Sequence, residues 1–215
     1  RSVRTAVAAI GEVWHEYRIC DDLWLVDLET GARRRVTSGE RATDPDVAAD
    51  GRTAVYVRRT GAGGMALVRR DLDSGATEVL YAHEGAQVFR PRISRDGRVA
   101  FELHVNGRRD VAIWRDSAVE RVTDDDALDT GPAWTPDGRF LLFASDRGGI
   151  FDVYAWEAAT GRLRQVTNVE TGALQPEPSP DGRTLAFVSY SRAGFDLATI
   201  PLDEASWLEP LPAPP

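Results

Sequence analysis

Four times in this chain a proline is followed, five residues later, by Asp-Gly-Arg and then by an apolar run. The copies are "PDVAADGRTAVYV" from Pro45, "PRISRDGRVAFEL" from Pro91, "PAWTPDGRFLLFAS" from Pro132 and "PEPSPDGRTLAFVS" from Pro176. Their aspartates, Asp50, Asp96, Asp137 and Asp181, are 46, 41 and 44 residues apart. An internal period of this size means one supersecondary unit stacked repeatedly.

Each unit reads as four short strands. The first follows the proline, as in "AWT" from Ala133. The pairs Asp50-Gly51, Asp96-Gly97, Asp137-Gly138 and Asp181-Gly182 then make a turn. Glycine takes positive φ there without a steric penalty, and the aspartate bonds nearby backbone. The apolar run is the second strand, rich in branched and aromatic residues. After a polar loop comes an alternating third strand: "DDLWLVDL" from Asp21, "GMALVRRDL" from Gly64, "RDVAIWRD" from Arg109 and "FDVYAWEA" from Phe151. A second turn follows at Thr30-Gly31, Ser74-Gly75, Thr160-Gly161 and, more weakly, Ser117-Ala118. Fourth strands end at Thr37, Leu80, Thr123 and Thr167.

Four antiparallel strands per unit, with no helical periodicity between them, describe the blade of a β-propeller. A β-sandwich also uses short strands but does not repeat one phrase at a regular interval. The expected fold class is therefore all-β, a β-propeller of four-stranded antiparallel blades. About five blades or partial blades are present, closing as a small ring or belonging to a six-bladed or larger one. The expected boundaries are a partial blade over 1–43 and blades over 44–80, 90–123, 131–167 and 174–203. Residues 204–215 are expected to form a linker, because their prolines cannot serve a central strand.

The stretch from Pro132 to Tyr154, P-x-W-x-P-D-G-R-x-L-x-F-x-S-D-R-x-G-x-x-D-V-Y, resembles the blade repeat of the TolB-like propellers, also found in the tricorn protease propeller. Pro176 to Leu197 resembles it as well, and the likeness extends over about residues 19 to 202. It implies the propeller fold, a bacterial periplasmic or cell-envelope setting, and a binding role. TolB propellers have six blades and an extra domain, and bind the lipoprotein Pal and Tol partners. That domain has no counterpart in this sequence. Related propellers also stand beside peptidase domains or outer-membrane barrels as accessory modules.

Composition narrows the function further. A net charge of -8 disfavours phosphate-backbone binding, so no nucleic-acid partner is expected. No run approaches the ~20 apolar residues that span a bilayer, so this segment is not expected to cross one. Cys20 is the single cysteine, which rules out an internal disulfide and reads as a packed thiol. The chain opens on "RSVRTAVAAI", without an initiator Met or a signal-peptide pattern. It reads either as a chain whose leader has been removed or as part of something longer, with further domains beside it.

Catalytic signatures are missing. There is no Gly-x-Ser-x-Gly elbow. "HEYRI" at His15 lacks the second histidine of a zincin helix, and His83 and His104 lie in other repeats. "GAGG" at 61–64 is a hairpin loop, with no helix behind it to bind phosphate. "TDDDALDTG" at 123–131 offers carboxylates but neither the spacing nor the bidentate glutamate of a calcium loop. No cofactor and no metal are expected. Trp24, Trp114 and Trp156 read as packing between blades.

The expected function is thus a non-catalytic protein-interaction module of the cell envelope. The alternatives are the accessory, substrate-gating propeller of a larger peptidase or outer-membrane protein, and a channel for a small peptide or sugar. Strands alternate in direction, so the Asp-Gly and Thr-Gly turns share one end of every blade. The variable loops share the other end, where binding residues ride on a rigid scaffold. The candidate binding residues there are Arg41, Arg90, Asp126, Asp129, Arg147 and Gln175, with Trp134 just inside the channel mouth.

Overall fold

A computed structural model describes residues 4–13, 18–60 and 63–211. Residues 15–17 of the zincin-like stretch and the first half of the "GAGG" loop lie outside the described residues. The chain divides into two compact units, residues 1–93 and 94–215.

The first unit holds β1 (Thr5–Val13), β2 (Ile19–Asp27), β3 (Arg33–Arg35), β4 (Ala42–Val47), β5 (Thr53–Arg59), β6 (Met65–Asp71), β7 (Thr77–Ala82) and β8 (Ala86–Ile93). The second holds β9 (Val99–Val105), β10 (Arg108–Arg115), β11 (Ala118–Arg121), β12 (Asp129–Trp134), β13 (Phe140–Ser145), β14 (Asp152–Glu157), β15 (Leu163–Gln165), β16 (Ala173–Pro178), β17 (Thr184–Ser191) and β18 (Gly194–Pro201). One short 3-10 turn follows at Glu204–Ser206. No helix among the described residues is long and apolar enough to cross a membrane.

The strands form five small antiparallel meanders: β1–β3, β4–β7, β8–β11, β12–β15 and β16–β18. Each is a propeller blade, so the all-β reading of the repeat holds. Three blades have four strands. Among the described residues the first has no strand carrying the proline, in keeping with the partial blade expected over 1–43, and the last has no fourth strand.

The Asp-Gly turns fold as their chemistry requires. Gly51, Gly97, Gly138 and Gly182 all have positive φ, between 64° and 89°. Asp50, Asp137 and Asp181 each accept the backbone N–H of the following arginine through Oδ1, at 2.8, 3.0 and 3.1 Å. In the second copy along the chain Asp96 takes the side chain of Arg98 instead, at 2.9 Å.

The central strands are almost wholly apolar and buried, as in Phe140–Ser145 and Val99–Leu103. In the first unit Leu23, Ala54, Tyr56, Ala66, Val68 and Leu72 pack into one core. In the second, one cluster centres on Leu141, Phe143 and Tyr154 and another on Leu142, Phe187 and Trp207. Full burial of each large side chain contributes roughly 1.5–3 kcal/mol.

Residues 204–211 do not leave the fold as the linker reading expects. Leu208 pairs with the edge of β15, exchanging two backbone bonds with Gln165 at 2.9 and 3.0 Å. Trp207 is buried edge-on against Phe140, with ring centroids 4.9 Å apart. Glu204 binds Arg139 at 2.7 Å and Glu209 binds Arg162 at 2.6 Å. Prolines keep this segment from reading as a strand, but one bridging residue and one buried tryptophan suffice to dock it.

Candidate binding site on the first strands

The repeated proline marks a β-bulge. Between Thr43 and Asp46 the first strand advances three residues while its partner advances two, from Val57 to Val55. The same step occurs at Thr130/Ala133 and at Leu174/Glu177. Proline has no N–H for the ladder, so the extra residue moves that gap out of register. The residue before proline is pushed away from the right-handed helical region. Here it goes to the left-handed one: Asp44 at φ 52°, Arg90 at 46°, Gly131 at 65° and Gln175 at 50°. For a non-glycine residue this conformation costs about 1–2 kcal/mol, and such strain gathers at ligand clamps and switches. Arg41, three residues before Asp44, is strained likewise at φ 51°.

Neighbouring pre-proline positions are tied together within each unit. In the first, the Asp44 carboxylate accepts the Arg90 N–H at 3.1 Å, and Asp46 accepts the Ile93 N–H at 2.8 Å. In the second, a side chain on Gly131 would come to 3.4 Å from the Gln175 Cα, so glycine lets the two bulges close up. The Gly131 N–H and the Thr130 hydroxyl both donate to Glu102 Oε1, at 2.8 and 2.5 Å.

The candidate residues separate into two groups. Arg90, Asp126 and Gln175 are exposed and Arg41 is half-buried. Asp126 is engaged by Arg108 at 2.9 Å. Asp129 and Arg147 are buried instead, so they shape the loops rather than present charge to a partner. The Arg147 guanidinium lies 5.1 Å from the Tyr154 ring centroid, donates to Ser145 Oγ at 3.0 Å, and reaches Asp125 at 3.4 Å and Asp129 at 3.6 Å. Neither Asp129 oxygen accepts a hydrogen bond from the described residues. Burial pushes its carboxyl up to about 6, and the nearby Ser145 and Thr123 hydroxyls, with Arg147 after them, offset this only in part. The equivalent residues of the other first strands are Ala42, Val88 and Ala173. Trp134 is not at the loop end at all. It ends β12 beside the Asp-Gly turn, beneath the Arg98 guanidinium at 4.4 Å, because β12 runs from loop to turn.

A second polar device escapes the sequence reading. Asp22 and Asp152, buried near the starts of third strands, accept the hydroxyls of Thr37 and Thr167 at 2.9 and 2.7 Å. Those threonines accept the N–H of Leu23 and Val153, both at 2.8 Å, and Thr123 accepts that of Val111 at 3.0 Å. Asp22 also holds the N–H groups of Gly39 and Glu40, which set the loop into the next blade. The signal for it is the recurrence of Asp with Thr 13 or 15 residues later, at 22/37, 110/123 and 152/167. Among the described residues no group of three or more His, Cys, Asp or Glu is placed to hold a metal ion.

Five blades, three of them strained at the residue before the first-strand proline, define a β-propeller of the repeat type. The chain belongs to the TolB beta propeller domain family, whose model matches residues 66–208. It is 40% identical over 55 residues to the Tol-Pal system protein TolB of Francisella tularensis, a stretch covering 26% of this chain and 13% of that one. TolB from Acinetobacter baumannii superposes with a TM-score of 0.76 at 25% identity, over 89% of this chain and 49% of that structure. A puromycin-hydrolyzing peptidase of Mycobacterium tuberculosis shares the fold, with a TM-score of 0.70 at 12% identity over 97% and 36%. The chain therefore spans about half or less of the length of these relatives.

Proposed function

We propose that this protein is a non-catalytic protein-interaction module of the bacterial cell envelope, binding its partner at the loop ends of the blades. The observation that carries this reading is the left-handed residue repeated before every first-strand proline. The bulge at each proline accounts for the left-handed turn, and keeping a non-glycine residue there at Asp44, Arg90 and Gln175 stores strain of the kind that gathers at binding positions. Membership of the TolB propeller family, with relatives of the Tol-Pal system, supports a protein partner and a periplasmic setting.

The test uses the exposed residues. Arg90→Glu and Gln175→Glu should weaken partner binding by about tenfold or more and leave the melting temperature within about 2 °C. The Pal lipoprotein of the same cell is the first partner to try. Unchanged binding in both variants would refute the reading. Arg147 is unsuitable for this test, since reversing a buried charge destabilises the fold.

A second reading is favoured by the likeness to the puromycin-hydrolyzing peptidase: an accessory propeller gating a hydrolase domain. Hydrolysis of aminoacyl p-nitroanilides by the protein translated from the whole reading frame would support it, and its absence would leave the binding module.

A further inference from the structure

The turn end of the second unit carries a cleft of roughly 350 Å³ lined by Pro136, Asp137, Phe140, Asp181, Glu204 and Trp207, among others. It forms where two Asp-Gly turns touch: a side chain on Gly182 would lie 3.9 Å from the Pro136 ring. The docked segment 202–207 supplies a further wall. We propose that this cleft receives an extended basic segment of a partner protein, at a surface separate from the loop ends.

Three observations point there. The walls include Pro136, Pro180, Leu202, Phe140 and Trp207, apolar surface against which an extended peptide or an aliphatic stem packs. Asp137 and Asp181 spend only Oδ1 on their turns, and among the described residues their Oδ2 atoms accept no hydrogen bond. Both carboxyls sit below their usual range. For Asp137 burial works against this, and the Thr135 hydroxyl and Arg139 N–H outweigh it; for Asp181 the Ser179 hydroxyl is the main cause. Trp207 lines the cleft, and among the described residues its buried indole N–H has no acceptor, so the ring is held there by packing alone.

Charge fixes the occupant. With Glu204 taken up by Arg139, the lining still sets the carboxylates of Asp137 and Asp181 against the single guanidinium of Arg95, so it favours a lysine or arginine side chain over an acidic one. Arg139 already shows the geometry within the protein, lying 4.6 Å over the Phe140 ring while paired to Glu204.

Fluorescence anisotropy can test this with labelled Lys-Pro-Ala and Glu-Pro-Ala repeat peptides, and with spermidine as a competing small amine. The lysine peptide should bind at least about tenfold more tightly than the glutamate peptide. Asp137→Asn with Asp181→Asn should remove most of that preference. Asparagine keeps the turn bond, so the melting temperature checks that the fold persists. Equal binding of both peptides, or binding unchanged in the double variant, overturns the proposal. Spermidine binding as tightly as the lysine peptide overturns the peptide assignment. Arg90→Glu is the control: it should leave this binding intact, so failure here and failure of the loop-end reading remain distinct.

Discussion

The Asp44 carboxylate accepts the backbone N–H of Arg90 at 3.1 Å, although the two residues are 46 apart in sequence. Both precede a proline and both have positive φ, so each is the other's repeat equivalent. A strained position in one blade thus fixes the same strained position in the next.

This predicts that Asp44 is replaceable by asparagine but not by valine. Asparagine keeps an acceptor and tolerates the left-handed conformation; valine loses the bond and resists the backbone. Asp44→Asn should change stability by less than about 0.5 kcal/mol, and Asp44→Val should destabilise by about 2 kcal/mol or more, measured by urea unfolding.

Asp129 predicts a pH dependence. Its folded-state pKa of about 6 lies above the unfolded value, so between roughly pH 4 and 6 the native state holds a proton that the unfolded state has lost. The contribution of Asp129 to stability should therefore rise as pH falls from 7 through 6 and level off near 4, opposing the loss from carboxyls such as Asp137 and Asp181 that sit below their usual range. The gap between the folded and unfolded values corresponds to a gain on the order of 3 kcal/mol. Asp129→Asn should flatten that part of the profile. An unchanged slope in the variant would assign the dependence to other groups.

Thr167 serves both Asp152 and the Val153 N–H in a buried setting. Thr167→Val should cost about 2–3 kcal/mol, since it leaves a carboxylate and an amide short of partners, whereas Thr167→Ser should cost under about 1 kcal/mol. Thermal unfolding of the two variants separates these outcomes.

Strand β18 ends a three-stranded sheet and exposes Phe195 and Leu197, 67% and 77% accessible, with Tyr190 packed 5.0 Å from Phe195. A flat apolar edge of this kind invites pairing with another chain. The protein should self-associate in sedimentation at tens of micromolar, and Leu197→Lys should reduce this. A wild type that stays monomeric would show the edge to be inert.

The fold is legible because the Asp-Gly turns and apolar second strands are local signals recurring at a fixed period. Gly51, Gly97, Gly138 and Gly182 adopt the backbone that their turns demand. The site is only partly legible. The pre-proline residues Arg90 and Gln175 stand out through their place beside the proline, but side-chain depth is not a local property. Asp129 and Arg147 read as exposed loop charges and are buried: Asp129 opens β12, and Arg147 lays its guanidinium over the Tyr154 ring. Trp134 reads as a channel-mouth residue yet lies at the other end of its strand, which strand direction alone would have corrected. Trp207 gives no signal because a proline-rich neighbourhood hides one residue that anchors by burial.

Site-directed photo-crosslinking tests the central claim most directly. A benzoylphenylalanine placed at Arg90 or Gln175 samples the loop ends; one at Asp50 or Ser74 samples the turn end of a blade away from the basic-segment cleft. Binding at the loop ends predicts one partner protein crosslinked in the intact cell envelope from the first pair and none from the second. Crosslinks to the same partner from Asp50 and Ser74, with none from Arg90 and Gln175, would contradict it.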